Sequence, residues 1–147
     1  MSFNDAEIIA GLAEHLKSVL PPVGYAIRAV HPYPPDNLAV APAIVIVPGD
    51  DTVSYGASNR QITLTLNATL YIQPQADLAR KYADLMVWRT WLRDSLIDGV
   101  TLDNTAAVAQ ASVVSTTMGT DTWGDADFLT ITAVVEVASV EAIATSA

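Results

Sequence analysis

Eleven successive residues, Ile62-Thr63-Leu64-Thr65-Leu66-Asn67-Ala68-Thr69-Leu70-Tyr71-Ile72, alternate large apolar side chains with mostly threonine. A period of two sends every second side chain to the same side of an extended backbone, so the run predicts a strand with one dry and one polar face. It is about twice the usual strand length, and the period-two stretch Phe128 to Val140 is well placed to partner it.

Two stretches carry the helical period instead. Ile8, Ile9, Leu12, Leu16, Val19 and Leu20 share one side of a helical projection, with Glu7, Glu14 and Lys17 away from it. This predicts a helix from Asp5 to Leu20, capped by Ser2 or Asn4 and stopped by Pro21-Pro22. A second helix is expected from Ala76 to Ile97, after Gln73-Pro74-Gln75 and before Gly99. Its main stripe is Leu78, Tyr82, Leu85, Leu92 and Leu96, with Trp88 on the margin. Val87 and Trp91 project a third to a half turn away at ~100° per residue, which implies a second apolar surface on this helix.

Tyr25 to Val30 reads as a short strand, and the prolines of His31 to Asn37 read as a loop. Ala43 to Val47 is apolar at every position, as in a central strand covered on both faces, and Pro48-Gly49 suits a tight turn. Asp50 to Gln61 then reads as a long mobile connection. Ala111 to Met118 and Phe128 to Val140 form the last strands, joined by the acidic stretch Gly119 to Asp127 with its lone Trp123. Glu141 to Ala147 is expected to fray unless another subunit holds it.

The expected architecture is a single α+β domain over residues 1–147. A mostly antiparallel sheet of about five strands carries two main helices, packed mainly on one face. The side bearing Thr63, Thr65, Thr69, Thr130 and Thr132 then faces solvent, a channel or a neighbour. Strands this long leave edges that self-assembly can satisfy.

Bulk composition narrows the function. A chain of 147 residues that is 51% hydrophobic can build a full core, and no apolar run reaches the ~18 residues that would cross a bilayer. No membrane association is expected. The opening Met1-Ser2-Phe3-Asn4-Asp5 lacks a secretory pattern, and the absence of cysteine removes disulfides and thiolate chemistry. Seven basic against sixteen acidic residues give a net charge of −9, which disfavours sequence-reading contact with DNA yet suits a conduit through which DNA passes without sticking.

No motif for catalysis, cofactor or metal stands out, and none of the three is expected. His15 and His31 have no local cluster of ligands and read as structural or solvated. Asp121, Asp125 and Asp127 superficially resemble a calcium loop, but a twelve-residue count from Asp121 ends on Thr132 where an acidic ligand is needed. Asp50-Asp51 reads as a pair of solvated loop acids. There is no Gly-x-Ser-x-Gly elbow or phosphate-cradling loop, and Asn67-Ala68-Thr69 lies inside the best strand, which argues against glycosylation. Arg89 and Arg93 sit one helical turn apart, either as a solvated flank or as partners for acids of another subunit. Val87 with Trp91, and Trp123 in its acidic turn, are candidates for either peripheral core packing or a subunit interface.

The order of elements resembles that of small tail terminator and tail completion proteins of long-tailed bacteriophages. The resemblance spans nearly the whole chain: the first amphipathic helix, Ala41 to Gly49, the long alternating strand, the long second helix and the final strand pair. It implies a non-enzymatic virion protein, assembled in the host cytoplasm, that forms a ring of six subunits on the end of the tail tube. Such a ring contacts the tube protein below and the head-side connector above, with DNA passing through. On that reading Asp50, Asp51, Tyr55, Arg60 and Asp121, Asp125 and Asp127 are candidates for axial contacts or pore lining, and Val87, Arg89, Trp91, Arg93 and Trp123 for lateral contacts. Another neck or head completion protein is an alternative, as is a small enzyme or ligand-binding domain with an acidic pocket.

Overall fold

In the computed structural model the described residues are 3–38, 40–72, 78–97, 99–102, 108–123 and 126–142. The chain runs α1 (Asp5–Ser18), β1 (Ala29–His31), β2 (Ala43–Tyr55), β3 (Asn59–Ile72), α2 (Leu78–Asp94), β4 (Gln110–Trp123) and β5 (Ala126–Ala142). The fold is α+β. One five-stranded sheet has the order β1-β2-β3-β5-β4, with β1 parallel to β2 and every other pairing antiparallel. The predicted pairing of the two long period-two runs is the spine of this sheet, in unbroken register from Asn59 opposite Ala142 to Ile72 opposite Leu129.

Alternation along these strands decides what each face meets. Leu64, Leu66 and Leu70 of β3 join Ile131, Val135 and Val137 of β5 on the face covered by both helices, all of them buried. α1 contributes Ile8, Leu12 and Leu16 to that core, and Asn4 Oδ1 caps the helix by accepting from the Glu7 N–H at 3.1 Å. α2 contributes Leu85, Trp88, Leu92 and Leu96.

The apolar stripe of α2 differs from the expected one. Tyr82 is exposed and Trp88 is buried at its centre, in edge-on contact with Tyr25 at 5.3 Å and with Trp91 at 5.6 Å. The helix has rolled toward Trp88 because that side offers an aromatic partner across the core. Predicted residues Ala76 and Asp77 lie outside the described residues.

Three expected connections are strand instead. β2 passes straight through Pro48-Gly49 with a bulge between Pro48 and Asp51, and the hairpin to β3 needs only Gly56 to Ser58. Asp51, Tyr55 and Arg60 are therefore ladder residues and Asp50 lies in the bulge of the strand, so none of them is a loop residue. Likewise β4 continues past Met118 to Trp123, paired through Asp121 opposite Phe128 and Thr122 opposite Asp127. Cross-strand pairing has overridden residues that locally favour turns. The expected strand from Tyr25 shrinks to Ala29–His31.

A second, smaller cluster occupies the other face at one end of the sheet. Leu38, from the proline-rich connection, packs there with Ala43, Val45, Tyr71 and Phe128, and Trp123 closes its side. Thr130 is buried beside it, and Thr69 and Thr132 share a hydrogen bond of 3.0 Å. The threonine face is thus covered at this end, and open only further along at Thr63 and Thr65.

Candidate functional site

The outer side of α2 is the most distinctive surface of the molecule. Leu85, Trp88 and Leu92 point into the core, which turns Met86, Val87 and Thr90 outward, with Trp91 half-buried at their margin. The segment after α1 lies against them. Trp91 Nε1 donates to the Leu20 carbonyl at 2.8 Å, fixing that segment while the Leu20 and Val23 side chains stay exposed. Pro22, Met86, Val87, Thr90 and Trp91 line an open depression of about 490 Å³. Apolar side chains this exposed and contiguous mark interaction surfaces.

Sequence reasoning located Val87 and Trp91 and the second apolar face of the helix. It missed the exposure of Leu20, which it placed on the apolar stripe of the first helix although α1 ends at Ser18, and it missed Pro22, Val23 and Met86. The apolar residues on either side of Pro21-Pro22 were the signal for the first three, since a helix-stopping segment gains nothing from an exposed leucine and valine unless something covers them.

The basic candidates behave differently from each other. Arg89 is engaged within its own chain: Nε donates to Thr116 Oγ1 at 2.8 Å and Nη2 to the Thr116 carbonyl at 3.2 Å. Arg93 is exposed on α2. Arg60 bonds Glu141, with Nη2 to Oε2 at 2.7 Å, and the other oxygen of Glu141 accepts from the Phe3 N–H. That carboxyl is held below its ordinary range, first by the Phe3 N–H and then by Arg60. This triad ties the N-terminal segment to the far ends of β3 and β5.

The acidic candidates do not converge. Asp50 and Asp51 are exposed at the β2 bulge, and Asp127 is exposed on β5. Asp121 accepts from the Tyr71 hydroxyl at 3.1 Å; burial, and then that bond, push the Tyr71 phenol up to about 12. Asp125 lies outside the described residues. Trp123 packs edge-on against Tyr71 at 5.4 Å, so its ring caps the small cluster. Among the described residues no three His, Asp or Glu side chains are grouped so as to hold a metal ion.

His15 is a buried structural residue. Its Nε2 lies 2.8 Å from the Ser95 carbonyl, which can only accept, so Nε2 carries the proton. Gly99 abuts the ring so closely that a β-carbon there would come within 2.3 Å of it. A separate depression of about 230 Å³, between α1 and β1, is lined mainly by apolar groups with Lys17 and Arg28 among them.

The strand edges are guarded in part. On β4 the Ala111 N–H donates to the Val100 carbonyl, Arg89 covers the Thr116 carbonyl, and the Thr122 N–H donates to Asp121 Oδ1 at 2.9 Å. On β2, β1 pairs with residues 43–45, beyond which come Pro48, the bulge and two acids. Proline, bulges and charge all discourage a further strand from adding. Association through faces is favoured over association through edges.

No protein-family model matches this sequence, and no curated protein matches it significantly. Among the described residues no helix is long and apolar enough to cross a membrane.

Proposed function

We propose that this protein is a structural component of a long-tailed phage virion, forming a ring of six copies that caps the tail tube and meets the head-side connector. Its work is contact, with no bond made or broken. The observation that carries the reading is the outer face of α2, where Met86 and Val87 stand exposed and Trp91 half-buried, beside Leu20, Pro22 and Val23. Partly guarded edges favour such a face as the place for copies to meet, and the acidic balance of the chain suits passage of DNA through the assembled ring.

The test has two parts. Mass measurement in solution across a concentration series is expected to find a closed oligomer, which Trp91→Asp weakens while far-UV circular dichroism stays unchanged. Particles produced without the protein are expected to carry tails of uncontrolled length that fail to join heads. Tails of normal length would reject termination, and cross-linking to the connector but not to the tube protein would assign the chain to another layer of the neck.

A further inference from the structure

Among the described residues nothing covers the face of the sheet opposite the helices beyond the small cluster, and the residues of this bare face follow from the register. Val47, Asn67, Val134 and Ser115 form one row across β2, β3, β5 and β4. Thr65, Glu136 and Ser112 form the next, with Gly49 of the bulge beside Thr65. Thr63 with Ala138, and Gln61 with Val140, complete it. Val47 and Val140 are among the exposed large apolar residues, and Glu136 is exposed between them. A half-apolar sheet face of this kind is ordinarily buried beneath another layer.

We propose that copies of this chain stack front to back, the outer face of α2 in one copy covering the bare end of the sheet in the next. This rests on the self-assembly reading above and names the two surfaces that would meet. Three observations converge on it.

The first is position. α2 packs on the helix-bearing face of the sheet, so its outer side and the bare sheet face look in opposite directions. A single copy cannot satisfy one with the other, and a two-fold pair would leave the second surface of each copy unused. Head-to-tail contact uses both, and closes into a ring when the rotation between copies allows.

The second is dimension. α2 has 17 residues, a length of roughly 25 Å at about 1.5 Å per residue. From Val134 to Val140 a strand advances roughly 20 Å at about 3.3 Å per residue. Four strands about 4.8 Å apart make a bed wide enough for a helix roughly 10 Å across.

The third is charge. Arg93 is exposed on α2, in a chain of net charge −9. The bare face presents Glu136. Complementary charge sets which surfaces find each other and suppresses contact between like ones.

The experiment uses two variants at exposed positions, Val87→Asp on α2 and Glu136→Lys on the sheet, with Val140→Asp as a second sheet variant. Thermal melting and near-UV circular dichroism check that each is folded. Each alone is expected to weaken self-association at least ten-fold by sedimentation. Val87→Asp retains only its sheet surface and Glu136→Lys only its α2 surface, so mixing them is expected to give a one-to-one heterodimer and nothing larger. In Glu136→Lys, adding Arg93→Glu is expected to restore assembly. If both sheet variants assemble like the parent chain while Val87→Asp does not, the pairing is overturned and the self-assembly reading stands with a different occupant on α2. If the parent chain is monomeric at every concentration, both are overturned.

Discussion

The two faces of one sheet show how far this chain completes itself. On the helix-bearing side, alternate residues of β3 and β5 are Leu64, Leu66, Val135 and Val137, sealed beneath α1 and α2. On the other side the same strands offer Thr63, Thr65, Val134 and Glu136, and among the described residues only the end near Tyr71 and Phe128 is covered. Both faces come from the same period of two. What separates them is whether the chain supplies a layer to lie over them: two amphipathic helices on one side, and the loop residue Leu38 with Trp123 on the other.

If the helix-bearing face carries most of the stability, its central residue should be the most costly to lose. Trp88 is 1% exposed, and Trp88→Ala is expected to cost about 3–5 kcal/mol, measured by urea unfolding at pH 7. A loss under about 1 kcal/mol would place the stabilising centre elsewhere. Gly99→Ala tests the same side at its margin. The added methyl meets a buried imidazole rather than a free chain end, so a loss of about 1–3 kcal/mol is expected, accompanied by a chemical-shift change at the His15 ring.

Much of this asymmetry can be read from the residues, and the parts that cannot have identifiable causes. The alternation at Ile62 to Ile72 reports burial directly, because a strand has only two sides. The ends of the long strands do not report themselves. Gly56, Ser58 and Asn59, or Asp121 and Asp127, favour turns locally, and only the ladder to a distant strand keeps the flanking residues extended. Tyr82 and Trp88 lie roughly 60° on either side of Leu85 on a helical projection, so local periodicity cannot choose between them. Tyr25, far away in sequence, makes the choice. The α2 surface was visible because Val87 and Trp91 broke the stripe. Glu136 was equally visible as the single acid among apolar and threonine residues, but its meaning depended on knowing that its face is bare.

The small cluster on the opposite face should yield less. Tyr71→Phe removes the hydrogen bond to Asp121 and keeps the ring, so an expected loss of about 1 kcal/mol is well below that of Trp88→Ala. The pH dependence is more specific. A phenol raised from 10.0 to about 12 in the folded state binds its proton more tightly than in the unfolded chain. The unfolded state therefore loses that proton first, and this contribution, complete below pH 10, disappears as pH rises toward 12. Tyr71→Phe should remove that decline from the unfolding free energy; a variant with the parent's alkaline profile would show that Tyr71 does not set it.

The smallest effect is expected at the rim, where neither face is involved. Glu141 joins the Phe3 N–H and Arg60, linking the start of the chain to the last strand. Its depressed acidity means that its stabilising contribution is present above the ordinary carboxylate range and is lost as pH falls through the lower folded-state value. Glu141→Gln keeps an acceptor for Phe3 but gives up the charge, so global stability at pH 7 should scarcely change. Local opening is another matter, since terminal segments are held by few contacts. Amide exchange at Phe3 and in the first turn of α1 should quicken in Glu141→Gln while exchange at Leu66 and Val135 is unaltered. Equal acceleration at both sites would mean that the rim and the helix-bearing core open together, and that the division between them is not energetic.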